Sequence, residues 1–195
     1  MIVRNYDIQK GQIFIDGLDI KKYQIASLRK HIGQMLQDVF LFSGTVESNI
    51  TLRSEEITSD IVKEACRFVN ADKVIDKLPN KYNEIVRERG KNFSSGERQL
   101  ISFARVVSHK PNIMILDEAT SNIDTETEAL IQDSLKKMMN IGTMLIVAHR
   151  LSTIQHCDKI IVLKKGKIIG EQELASIRNF FTSAEREKKE LKRMQ

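Results

Sequence analysis

Short apolar stretches separated by segments of helical period set the pattern of this chain. Ile113-Met114-Ile115-Leu116 is apolar throughout and too short for a buried helix, so it reads as an internal strand, and it ends in two adjacent acids, Asp117 and Glu118. Ile32 to Leu36 carries too few polar residues for a solvated strand and also reads as internal. Thr143 to Val147 reads as a second buried strand ending at Ala148-His149, and Lys159 to Leu163 as a further one. Between these runs Ile61, Ala65, Phe68 and Val69 recur at helical spacing, with Asp72 as the cap of a second short helix ending before Pro79. Leu100 to Ser108 predicts a helix leading to the turn at Lys110-Pro111. Thr125 to Met139 predicts another, with Ala129, Leu130 and Leu135 on its apolar face, and Leu151 to Gln155 a short one.

Smaller elements fill the remainder. Gln12 to Ile15 reads as a strand ended by Asp16-Gly17, and Ser27 to His31 as the end of a short helix or turn. Ser43-Gly44-Thr45 is a turn that starts the helix Val46 to Ile50. Lys81 to Asn92 reads as a polar loop, and Lys164 to Lys167 as a hairpin turn into Ile168-Ile169. The alternation of strand and helix predicts an α/β core with parallel pairing and right-handed crossovers, interrupted by a helical insertion over Thr58 to Leu78. Ser183 to Arg193 predicts a charged helix with little to bury.

Composition narrows the classes. With 195 residues, 41% hydrophobic and 29% charged, the chain has material for one cored domain, and no stretch approaches eighteen apolar residues. The formal net charge of +5 permits anionic ligands or a nucleic-acid contact without selecting between them. Two cysteines, Cys66 and Cys157, form no CxxC, and four scattered histidines have no metal-ligand spacing.

The candidate chemistry gathers at strand ends, where ligands of open α/β sheets bind. Asp117 and Glu118 face opposite sides while the strand lasts; past its end, one is able to hold Mg²⁺ while the other addresses a water, against the plainer reading of two solvated acids. His149 ends the next internal strand, as a plain polar loop residue or as one placed to hydrogen-bond a γ-phosphate or hold the attacking water. Gln37 reaches the same rim from its own strand. Ser94-Ser95-Gly96 precedes a helix, as a cap or as an anion seat. The phosphate-cradling GxxxxGK[ST] occurs nowhere in the sequence.

Several of these motifs fall in one recognisable order. Gln37 with its continuation QDVFLFSGTVESNI, Glu88-Arg89-Gly90, Ser94-Ser95-Gly96-Glu97-Arg98-Gln99, the strand ending at Asp117 with Glu118, Ser121-Asn122-Ile123-Asp124, and His149 in IVAHRLST resemble the ATP-binding cassette domain of ABC transporters, especially the exporter type. The resemblance covers about Arg4 to Leu163. It implies a P-loop NTPase-like, mostly parallel sheet with a helical subdomain at about 50–100, within a cassette domain over 1–169 that is incomplete at its N-terminus, followed by a charged helical tail over 170–195. It further implies ATP and Mg²⁺ as cofactors, Asp117 and Gln37 at the metal, Glu118, His149 and Gln37 as catalytic residues, and Ser94, Ser95, Gly96, Glu97 and Asp124 at nucleotide. The partners implied are a second ABC ATPase domain, paired head to tail so that the signature at Ser94 to Gly96 closes over the other's ATP, and the transmembrane domain of an exporter. The location implied is the cytoplasmic face of a membrane, and no nucleic acid is expected.

Departures from the family pattern modify those expectations. The signature is usually LSGGQ, and Ser95 and Glu97 here stand at one of the glycine places and at the glutamine place. Arg4-Asn5-Tyr6-Asp7 resembles the end of the helix after Walker A, so the aromatic that stacks on adenine, the first antiparallel strands and Walker A are expected to be missing. The expected function is an ATP-binding and ATP-hydrolysing subunit fragment that couples hydrolysis to export, with the chain alone inactive. Loss of the strand before Walker A would expose neighbouring strand edges and leave Gln12 to Ile15 without antiparallel partners. The alternatives are an accessory cassette lending its signature to a partner's ATP site, or an ABC-type ATPase of DNA maintenance.

Overall fold

The computed structural model describes residues 1–117, 123–148, 151–154 and 156–172, in two units, Met1–Val147 and Ala148–Gln195. The first unit begins with a hairpin, β1 (Phe14–Ile15) and β2 (Leu18–Asp19), joined by Asp16-Gly17. Both turn residues have positive φ (48° and 76°), which matches the right-handed twist of the strands they join. The Gln12 to Ile15 strand is therefore not left without an antiparallel partner, because the chain's own continuation, β2, supplies one. Helix α1 (Ile25–Lys30) and strand β3 (Ile32–Met35) follow, then β4 (Gly44–Thr45) and α2 (Val46–Thr51). Thr45 and Ser48 close a reciprocal capping box at the start of α2.

The helical insertion consists of α3 (Ser59–Phe68), capped by Thr58, and α4 (Asp72–Ile75). Asp72 does not cap α4: Ala71 holds the cap position with no side-chain bond, and Asp72 is the first helical residue. Within the stretch read as polar loop lies β5 (Ile85–Val86), paired antiparallel with β4. Helix α5 (Ser95–Ser108), strand β6 (Ile113–Asp117), helix α6 (Thr125–Met138) and strand β7 (Thr143–Val147) complete the unit.

Strands β3, β6 and β7 form a parallel sheet with β6 in the centre. Asn112 sets their register at the amino ends. Its N–H donates to the His31 carbonyl at 3.0 Å, its own carbonyl accepts from Thr143 N–H at 3.1 Å, and its Oδ1 lies 2.8 Å from His31 Nδ1. Gly142 is needed beside it, since a Cβ there would run into the Asn112 carbonyl. One sheet face, with Met35, Met114 and Leu116 buried, packs on α5 and α6 through Leu100, Phe103, Ala104, Ile131 and Leu135. On the opposite face Ile32, Ile113 and Ile115 meet Ile20 and Leu28 from the N-terminal segment. That cover stops short of β7. Leu145 and Val147 are 43% and 54% exposed, so β7 is half-exposed rather than buried. On α6 the buried residues are Ile131, Ser134, Leu135 and Met138, while Ala129 faces solvent, which shifts the buried stripe from the one read in sequence.

In the second unit α7 (Leu151–Ile154) precedes an antiparallel hairpin of β8 (Ile160–Lys164) and β9 (Lys167–Gln172), turning at Lys165-Gly166 as read from sequence. The charged helix expected over Ser183 to Arg193 lies outside the described residues.

Cys66 on α3 is fully buried and hydrogen-bonds Tyr82. Burial pushes its thiol up from 9.0 to about 12, the Tyr82 bond opposing and the charges of Asp72 and Glu47 adding. Burial likewise raises Tyr82. Above pH 9.0 the unfolded chain ionises this thiol while the folded chain keeps the proton, so stability is full below that pH and declines as pH rises toward 12. Urea titrations across this range should show the decline, shallower in Cys66→Ala, with the remaining slope from Tyr82; an identical slope in the variant contradicts the assignment. The two sheet faces should also differ: Met114→Ala should cost about 2–5 kcal/mol in the same assay, and Leu145→Ser under about 0.5 kcal/mol.

Candidate functional site

The parallel register brings the sequence-predicted strand ends to one edge. Met35 lies opposite Leu116, and Asp117 lies opposite Val147. Gln37 follows β3 by two residues as an exposed loop residue, and Asp117 is the last, half-buried residue of β6. Glu118 and His149 lie outside the described residues, as do Ser121 and Asn122. Of the proposed rim, the described part is thus Gln37 and Asp117 at the carboxyl ends of adjacent strands.

The Gln37 loop is fastened by two polar residues that the sequence reading did not single out. Asn49, buried on α2, accepts from Phe42 N–H at 2.7 Å and donates to the carbonyls of Phe42 at 2.8 Å and Thr45 at 3.0 Å. Arg105 reaches from α5 to the carbonyls of Asn49 at 2.7 Å and Phe40 at 3.1 Å, and burial lowers its pKa. Its guanidinium also sits 5.9 Å from the Phe42 ring, which meets Phe40 edge to face at 4.9 Å. The fastening leaves Phe40 and Phe42 about half exposed, at 47% and 53%. An arginine at a helical position flanked by buried Ala104 and Val106 was the available signal, because a buried guanidinium requires several acceptors.

The signature segment forms the start of α5. Ser94 is the cap: its Oγ accepts from Glu97 N–H at 3.2 Å, and the Glu97 carboxylate accepts from Ser94 N–H at 2.7 Å. Glu97 therefore closes a capping box in addition to standing at the family's glutamine place. Gly96 is buried, and a Cβ there would overlap Thr127 and press on Ile123 at the start of α6. Its lack of a side chain lets two helix ends meet within one chain. Upstream, Glu88-Arg89-Gly90 forms a tight turn with φ of 57° at Arg89 and 70° at Gly90. Arg98 donates to the Gly90 carbonyl at 3.5 Å and to the Phe93 carbonyl at 2.6 Å, tying this turn to α5. Asp124 caps α6 by accepting from Thr127 N–H at 2.9 Å, and that bond lowers its pKa.

Oxygen donors from a carboxylate and a side-chain amide suit Mg²⁺, a hard cation that keeps several waters and bridges to phosphates. Asp117 and Gln37 fit that donor set. No phosphate-cradling GxxxxGK[ST] is among the described residues.

The model of the ABC transporter family matches residues 1–121. The chain is 50% identical over 169 residues to the "Probable multidrug resistance ABC transporter ATP-binding/permease protein YheH" of Bacillus subtilis (strain 168), covering 87% of this chain and 25% of that protein. It is 44% identical over 185 residues to the "Uncharacterized ABC transporter ATP-binding protein YfiC" of the same organism, covering 93% of this chain and 31% of that protein. Among solved structures, "Structure of a bacterial Atm1-family ABC exporter with ATP bound" superposes with a TM-score of 0.82 at 35% identity, over 90% of this chain and 31% of that one. The fold and sequence define an ATP-binding domain of P-loop NTPase-like architecture. The chain belongs to the ABC transporter family and is homologous to the ATP-binding domains of exporter-type members. It spans a quarter to under a third of the length of these relatives. No helix among the described residues is long and apolar enough to cross a membrane.

Removing the Asn49 side chain strands the Phe42 N–H and carbonyl together with part of the Arg105 guanidinium. Asn49→Ala should therefore destabilise the chain by about 1–3 kcal/mol and speed limited proteolysis at Phe40 to Phe42. Unchanged cleavage there would show that the loop is held by other means.

Proposed function

We propose that this chain supplies the metal side and the signature side of an ATP-hydrolysing cassette in an exporter-type ABC transporter. On this reading it couples hydrolysis to export at the cytoplasmic face of a membrane through a membrane-spanning partner. The observation that carries the reading is the in-register ending of β3 and β6, which sends Gln37 and Asp117 off one sheet edge. In sequence Glu118 follows Asp117 directly, and His149 follows β7 by two residues. The names of the relatives, an ATP-binding/permease protein and an exporter with ATP bound, point the same way.

The roles follow from the chemistry of each group. Asp117 and Gln37 offer oxygens to Mg²⁺, which, when bound with ATP, offsets charge on the phosphate oxygens. The Glu118 carboxylate accepts a proton from a water and orients it, and His149 fixes that water or a terminal phosphate oxygen by hydrogen bonding. Ser94 and the first turn of α5, with Asp124, face the nucleotide of a second cassette, since a helix start favours an anion. The exposed Phe40 and Phe42, held by Arg105, suit contact with the membrane-spanning partner.

The test is assembly. The chain is mixed with a separately expressed exporter-type cassette that carries a phosphate loop and has its own catalytic glutamate replaced, and mass is read by light scattering after size exclusion. A heterodimer should form with Mg-ATP and not without it, and Ser94→Ala should weaken it about tenfold while circular dichroism shows a folded chain. Folded chain that stays monomeric in Mg-ATP would overturn the proposal.

A further inference from the structure

The end of α3 and the middle of α6 are joined by a polar clamp that the chemistry above does not use. Asn70 follows α3 with φ of 58°, a left-handed conformation that asparagine tolerates. Its Nδ2 lies 2.8 Å from Asp133 Oδ2, 3.1 Å from Ser134 Oγ and 3.3 Å from the Leu130 carbonyl. Lys137 donates to Asn70 Oδ1 at 3.3 Å and to Asp133 at 2.7 Å. Ser134 Oγ is 2.6 Å from the carbonyls of both Val69 and Leu130, and its single proton serves one of them. Ser134 is fully buried and Asn70 is 5% exposed, so the bonds between these two and to the backbone carbonyls form largely out of water, where leaving one unmade is costly, while Lys137 and Asp133 close the clamp from its exposed side.

Seven residues before Ser134, Thr127 fills the space that a side chain on Gly96 would need. That separation is about 10 Å along a helix. Helix α6 is thus held at two places by the segment from α3 to α5: at its middle by Asn70, and at its start by the absence of a side chain at residue 96. We propose that Asn70 is a positioning residue, which by clamping the middle of α6 to the end of α3 holds Asp124 and the start of α6 in fixed relation to the signature turn Ser94 to Glu97. The two segments assigned to a partner's nucleotide then move as one body. Gly96 alone would permit the two helix ends to slide; the Asn70 clamp removes that freedom.

The catalytic consequence rests on the function proposed above, but the test does not, because it needs no nucleotide. Hydrogen exchange is measured residue by residue on the whole chain and on Asn70→Gly, which keeps the left-handed backbone and deletes only the clamp. Exchange should speed about tenfold at Thr127, Glu128, Glu97 and Arg98, with Met114 and Leu116 in the central strand unchanged. Ser134→Ala should give the same distant signature more weakly. Asn70→Asp, which lacks the N–H donors and sets a carboxylate against Asp133, should not restore protection. Acceleration confined to residues 65–70 and 130–137, or equal acceleration in the central strand, would overturn the proposal. Protection fully kept in Asn70→Asp would do the same.

Discussion

The sheet depends on what Asn112 does with its backbone. By donating to the β3 side and accepting from the β7 side, this residue brings three strand starts into line, and the carboxyl ends then coincide because the strands run parallel. Displacing either outer strand by one residue would turn its side chains to the other face and move its loop away from Asp117. Glycines at 33 and 142 make the alignment possible. A Cβ on Gly33 would strike Val106 and Pro111, and one on Gly142 the Asn112 carbonyl. Gln37 and Asp117 leave adjacent strands at one edge only with this register.

The core strands and the main helices were legible because their patterns are local. Four apolar residues before Asp117 have no good alternative to an internal strand, and the small residues before Val46 and after Phe93 mark helix starts. What escaped the reading depends on contacts distant in sequence. Strand β5 has two residues and exists because β4, some forty positions earlier, pairs with it. The exposure of β7 follows from the N-terminal segment covering only part of one sheet face, which no periodicity in Thr143 to Val147 records. Asp72 has the composition of a cap, but the chain entering α4 is already helical at Ala71, so the capping geometry never forms.

The candidate site divides the same way. Motif order located Gln37, Asp117 and the signature, because each sits at the boundary of a strong element. It did not reveal what supports them. Asn49, Arg105, Asn70 and Ser134 look like ordinary polar residues within helices or at their ends, and only their hydrogen bonds to distant segments show which loop or helix each one touches. The sequence offers Gly96 as a place where backbone N–H groups would approach an anion, whereas the room it gives Thr127 needed the packing of α5 on α6.

The capping box at Ser94 and Glu97 has an electrical effect. A helix start carries roughly half a positive elementary charge, and a carboxylate hydrogen-bonded to the capping amide cancels much of it. A polyanion arriving at this end therefore meets weaker attraction than it would if residue 97 were a neutral amide, and depends more on hydroxyl and amide donors for its hold. Glutamate at 97 thus keeps the cap that a glutamine would also make while lowering the field at this helix start.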